Sequence, residues 1–89
     1  MTYICEMTNH LGEARREFGD RVAMYRVAAE NSHLATMVRV ATYSDYERAI
    51  GDLQDAHKAA LDAEDDARCA ELETKIAELM PLLFDASEA

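Results

Sequence analysis

Residues 3–30 read YICEMTNHLGEARREFGDRVAMYRVAAE, and the period assigned to this stretch decides the fold. Ile4, Met7, Leu11, Ala14, Phe18, Val22, Tyr25 and Ala29 recur at spacings of three and four, which places them on one face of a single helix. Thr2 can cap its start, and Asn31-Ser32 is a natural stop and restart. Gly19-Asp20 lies inside the run, and a glycine in a helix interior costs about 1 kcal/mol against alanine. The stripe continues in phase across it, so the spacing predicts one uninterrupted helix of about 40 Å.

Working outward, Ser32 opens a short second helix with Leu34, Met37, Val38 and Ala41 on one face. Ser44-Asp45-Tyr46-Glu47 has the form of a capping box, with Ser44 at N-cap and Glu47 at N3. It starts a third helix whose buried face is Tyr46, Ile50, Leu53, His57 and Ala60. Asp62 to Asp66 supply a turn and the acids that favour the next helix N-terminus. The fourth helix carries Cys69, Leu72, Ile76, Leu79 and Leu83, and Pro81 should end or kink it near Met80. The expectation is an all-α fold: a small helical bundle of a long helix 1, a short helix 2, and a helical hairpin of helices 3 and 4. It forms a single helical domain over residues 1–84, followed by a polar C-terminal tail over 85–89. Residues 21–43 also permit a β-hairpin, because they are rich in β-branched side chains and Ala23–Ala28 echoes Thr36–Ala41. In that version Tyr25 and Val27 face Val38 and Thr36 across the ladder.

Tyr43-Ser44-Asp45-Tyr46-Glu47-Arg48-Ala49-Ile50, with Leu53 and Ala56, resembles the turn and second helix of a tetratricopeptide repeat. The resemblance spans one turn and one helix, and no period of about 34 residues recurs. It implies a helical hairpin and carries no function.

The chain has 89 residues, 18 acids against 9 lysines and arginines, and a net charge of −9. That balance excludes nonspecific nucleic-acid binding and attraction to an anionic membrane, and permits a basic partner. Three glycines and one proline favour helix over a turn-rich sheet protein. The N-terminus has no basic region before an apolar core, and no stretch approaches a membrane span, so the expected localisation is cytoplasmic. Cys5 and Cys69 match no zinc or redox spacing and read as buried thiols.

No motif carries specific chemistry. Glu30 and His33 form an isolated Glu-x-x-His, whereas a di-iron site needs a second copy and further inward carboxylates. His10 stands alone, and His57 falls in an apolar stripe, where a hydrogen-bonded interface histidine is the plain reading. There is no glycine-rich phosphate loop and no nucleophile elbow. The expectation is a protein that is not an enzyme, with no catalytic residue, no metal and no cofactor.

What remains is contact surface. Asp45, Asp52, Asp55 and Asp62 share an arc of the third helix, and Glu64, Asp65 and Asp66 continue it round the end. These seven form the candidate partner-binding face. Arg15, Arg16, Arg21, Arg26 and Arg39 all lie in the first half, so the two halves attract within or between chains. A first helix too long to be covered by the others suggests a homodimer, with Phe18, Val22, Met24, Tyr25 and Leu34 as self-association residues. Together these features suggest a small acidic regulatory or adaptor protein acting through protein–protein contacts, without direct nucleic-acid or membrane binding. The alternative is a phage-encoded DNA-mimic inhibitor, similar in size and charge to anti-CRISPR and anti-restriction proteins, that blocks a nucleic-acid site on its target.

Overall fold

The computed structural model describes residues 1–88, with side-chain surroundings through residue 86. The chain forms two compact units, Met1–Ala41 and a second beginning at Thr42. The order of elements is β1 (Tyr3–Thr8), β2 (Ala14–Gly19), α1 (Arg21–Glu30), β3 (Ala35–Val40), α2 (Tyr43–Asp62) and α3 (Asp66–Glu88). The expected all-α bundle is therefore wrong: the first unit is an α/β fold with a three-stranded antiparallel sheet.

The first unit begins with a β-hairpin where one long helix was expected. Asn9 builds the turn: its Oδ1 accepts from the N–H groups of Leu11 at 2.9 Å and Glu13 at 3.0 Å. Gly12, at φ 81°, supplies the left-handed residue that closes a three-residue hairpin loop. Leu11, a member of the supposed stripe, sits at the loop tip and is 71% exposed. β1 and β2 then pair in an unbroken antiparallel register from Tyr3 opposite Gly19 to Thr8 opposite Ala14.

Gly19-Asp20 is a true boundary and not a weak point in a helix. Asp20 is the N-cap of α1, with its Oδ1 accepting from the Ala23 N–H at 2.8 Å. A Cβ on Gly19 would stand 2.9 Å from the Met24 side chain, so the chain turns there in contact with the helix it is about to form. At the other end Asn31 caps α1, donating from its backbone and its side chain to Val27 O. Arg15 reaches from β2 to Asn31 Oδ1 at 3.2 Å and also approaches Met7 Sδ at 3.4 Å.

β3 occupies the place of the expected second helix and pairs antiparallel with β1, from Tyr3 opposite Val40 to Thr8 opposite Ala35. The sheet order is β2-β1-β3. The β-hairpin alternative for residues 21–43 fails as well: residues 21–30 are helical, and β3 pairs with β1 and not with its predecessor in sequence. Since β2 and β3 run antiparallel to β1, they are parallel to each other, and α1 is the crossover that parallel strands require. It packs on the face carrying Cys5 and Met7, where Met24 completes a core flanked by Tyr3, Ala23, Val27, Ala28, Leu34 and Val38. On the opposite pleat Arg39 and Glu6 form an ion pair at 2.8 Å.

The second unit is the expected helical hairpin, with its details shifted. Its cap lies two residues earlier than the Ser44 box: Asp45 Oδ2 accepts from the Thr42 backbone N–H at 2.7 Å and from its hydroxyl at 3.0 Å. The turn is a Schellman motif, with Asp65 N donating to Ala60 O at 3.0 Å and Glu64 N to Leu61 O at 3.1 Å. Glu64 holds the left-handed position, at φ 55°. Ala60, Cys69 and Leu72 form the hairpin core, with Leu53 and Ala56 against it. α3 continues through Pro81 to Glu88, across the stretch assigned to a polar tail; Ala89 lies outside the described residues.

Three stability outcomes follow from these positions. Met24→Ala should destabilise the protein by about 2–3 kcal/mol, while Val22→Ala, one turn face away and 67% exposed, should change it by less than about 0.5 kcal/mol. Glu64→Gly should stabilise by about 1 kcal/mol, because glycine adopts the left-handed C′ conformation without a Cβ penalty. Urea unfolding midpoints at equal m-value measure all three.

Candidate functional site: an acidic helical hairpin

Charge is divided sharply between the two units. Met1–Ala41 holds five arginines, Arg15, Arg16, Arg21, Arg26 and Arg39, against five acids, Glu6, Glu13, Glu17, Asp20 and Glu30. It is formally neutral, so the whole net charge of −9 belongs to the helical hairpin.

Of the seven acids in the expected face, six are exposed: Asp52, Asp55, Asp62, Glu64, Asp65 and Asp66. Asp45 is not available to a partner. It is 5% exposed, and its carboxylate is engaged with Thr42 in the cap of α2. Asp65 has a structural task too, since its Oδ1 accepts from the Arg68 backbone N–H at 3.1 Å as α3 begins. Asp55, Asp62, Glu64 and Asp66 make no ion pair among the described residues. Asp55 and Asp62, seven residues apart, lie on one side of α2 two turns from each other. Asp55, Asp62, Glu64 and Asp66 thus project their charge into solvent.

Further along α3 Glu71 is paired within the helix, while Glu73, Glu78, Asp85 and Glu88 keep that stretch net acidic as well. Glu71 accepts from Arg68 at 3.1 Å and Lys75 at 3.3 Å. Lys75 first, through a hydrogen bond and its charge, and then Arg68 hold the Glu71 carboxyl below its ordinary value. A carboxyl lowered in the folded state supports α3 above the ordinary carboxylate range, and that support is lost as pH falls through the lowered value. The acids without an ion pair among the described residues thus include Asp55, Asp62, Glu64 and Asp66, around the end of α2 and the turn.

His57 bridges the two helices, its Nε2 lying 3.1 Å from Glu73 Oε1 with the side chain largely covered. This is the interface histidine expected from its place in the stripe. His10 and His33 are exposed, in the hairpin loop and after α1, and Glu30 is exposed at the end of α1. Among the described residues no three His, Cys, Asp or Glu side chains come together to hold a metal ion. An open depression at the start of α1 is lined by Asp20, Arg21, Val22, Ala23 and Arg26.

The residues expected to drive self-association are scattered. Met24 is buried, and Leu34 packs beside it, so neither faces a partner. Phe18 is half-buried on β2, while Val22 and Tyr25 are exposed on α1, where Arg21 stacks over the Tyr25 ring at 5.7 Å. The unburied 40 Å helix that argued for a dimer does not exist. What the helical reading hid is the free edge of β3, whose signal was the β-branched density of Thr36-Met37-Val38-Arg39-Val40.

Cys5 and Cys69 are buried free thiols, one in each unit. Burial is the largest influence raising both above the ordinary thiol value; Glu17 adds to it at Cys5, and Asp66, Glu73 and Asp65 add to it at Cys69. No helix among the described residues is long and apolar enough to cross a membrane. Comparison with protein-family models, with curated proteins and with solved structures finds no match.

Because the thiolate is the reactive form, neither cysteine should react appreciably with a thiol reagent in native protein at neutral pH. Both should react in denaturant, and a colorimetric thiol count under the two conditions measures the difference.

Proposed function

We propose that this chain is a small acidic regulatory or adaptor protein that works through protein–protein contacts, as a homodimer, in the cytoplasm. In this reading it does no catalysis and takes no cofactor. The acidic end of the helical hairpin, Asp52, Asp55, Asp62, Glu64, Asp65 and Asp66, docks on a partner with a basic surface. The observation that carries the reading is the segregation of charge: one unit is neutral and the other bears all of the −9. A charge placed only for solubility has no reason to avoid half of the molecule, whereas a one-sided field steers and orients a partner of opposite sign. The two thiols left unpaired suit a reducing compartment.

The same segregation favours one variant of this reading. If the basic surface is the nucleic-acid cleft of its owner, the hairpin acts as a phage-type DNA mimic that occupies that cleft. Arg48 and Lys58 interrupt the acids of α2, which weakens any match to regularly spaced phosphates, so the general protein contact stands first.

The immobilised chain, challenged with a host lysate, should retain a basic protein that salt releases. Reversal of Asp55, Asp62 and Asp66 to lysine should lower that affinity at least about tenfold. Retention unchanged by the triple reversal would sink the reading and leave the face as a solvated helix surface. Duplex DNA that displaces the captured protein would select the mimic variant.

A further inference from the structure

The outer edge of β3 carries backbone groups with no strand partner among the described residues. Ala41 N donates to Thr2 O at 3.0 Å, and this pair extends the β1–β3 register in which Tyr3 opposes Val40. Bonded and non-bonded pairs alternate along an antiparallel ladder. Ile4–Arg39, Glu6–Met37 and Thr8–Ala35 are therefore the bonded pairs, and Thr36, Val38 and Val40 point their N–H and C=O groups away from β1. Those three N–H groups find no acceptor among the described residues. The Val40 carbonyl receives only a 3.5 Å contact from Arg39 Nη1.

Edge strands are normally protected by proline, bulges or charges. β3 has no proline, its register with β1 is regular, and its one charged side chain, Arg39, is held by Glu6. β2, the other edge, has Arg15, Arg16 and Glu17 in succession.

We propose that β3 pairs antiparallel with β3 of a second copy of this chain, across a two-fold axis through Val38, making one six-stranded sheet. This rests on the homodimer in the function proposed above and names its interface. The occupant is a second copy because the strand is complementary to itself. A two-fold normal to the sheet opposes residues of the same face. Centred on Val38, it sets Val38 against Val38, Thr36 against Val40 and Met37 against Arg39. All three outward positions are then used, in about six backbone hydrogen bonds, and the β-branched pairs stack across the seam. Centred on Arg39, it would oppose two guanidinium groups; centred on Met37, it would leave Val40 facing beyond the strand. Charge decides between the units as well. The neutral unit meets its copy without net repulsion, whereas hairpin against hairpin would bring −9 against −9.

Light scattering at high micromolar concentration should give twice the 10.0 kDa chain mass. Val38→Pro removes the central outward donor and leaves the β1 ladder intact; Met37→Arg sets like charges together at the seam, at a position 53% exposed. Both should be monomeric at the same concentration with native circular dichroism, while Val22→Asp and Tyr25→Ser on α1 should remain dimeric. A wild-type chain that stays monomeric overturns the homodimer and this interface together. A wild-type dimer that survives Met37→Arg and Val38→Pro overturns the β3 interface alone, and loss of the dimer in the α1 variants would move the contact there.

Discussion

The first unit depends on β1 being paired on both sides and covered by α1. Only when Glu6 and its neighbours lie in a ladder with β2 and β3 do Cys5 and Met7 point together at Met24, the three buried side chains that hold the sheet to its helix. So small a core gives little surplus stability. The local devices around it, Asn9 in the turn, Asp20 at the start of α1 and Asn31 at its end, therefore matter to whether the strands align at all. Each satisfies backbone groups that would otherwise be orphaned at the end of an element.

The hairpin follows a different logic. Its helices are long, contiguous and locally specified, with a capping carboxylate at Asp45 and a Schellman turn at Glu64. Because this stability is local, its outer surface is free to carry charge, and Asp55, Asp62, Glu64 and Asp66 make no ion pair among the described residues. The sheet unit, by contrast, balances its arginines with acids and presents an edge where a neutral surface is an advantage. In the proposed assembly, self-pairing and partner binding fall on different units.

From Thr42 onward the sequence was largely legible. Apolar spacing located α2 and α3, the acidic run located the turn, and the stripe placed His57 between the helices, where Glu73 meets it. The cap was misplaced by two residues because Ser44-Glu47 matches the usual Ser/Thr-x-x-Glu/Gln pattern, whereas Thr42-Asp45 has the shorter acid at N3 and is selected only by the geometry of the chain entering α2. Asp45 was misjudged for the same reason: spacing put it on the acidic face, while the cap drew its carboxylate inward. In the first 41 residues the threefold and fourfold spacing was accidental, as the exposure of Leu11, Val22 and Tyr25 shows. The true alternation, Tyr3-Cys5-Met7, was masked because Ile4 is also fully buried. With apolar residues on both pleats, Tyr3-Ile4-Cys5 shows no two-residue period.

By itself the sequence determined the helical hairpin, the acidity of its outer surface and the absence of a recognisable catalytic motif, since each of these depends on residues within a turn or two of one another. Gly12 and Gly19-Asp20 held the break points of the first unit in plain view, but a glycine marks a turn only once something pairs across it. That β1 is a strand, that β3 joins it from about thirty residues away, and that an edge with Thr36, Val38 and Val40 is left open were decided by the tertiary structure alone. A helix bonds to itself, whereas a strand is defined by its partners, and no local window contains them.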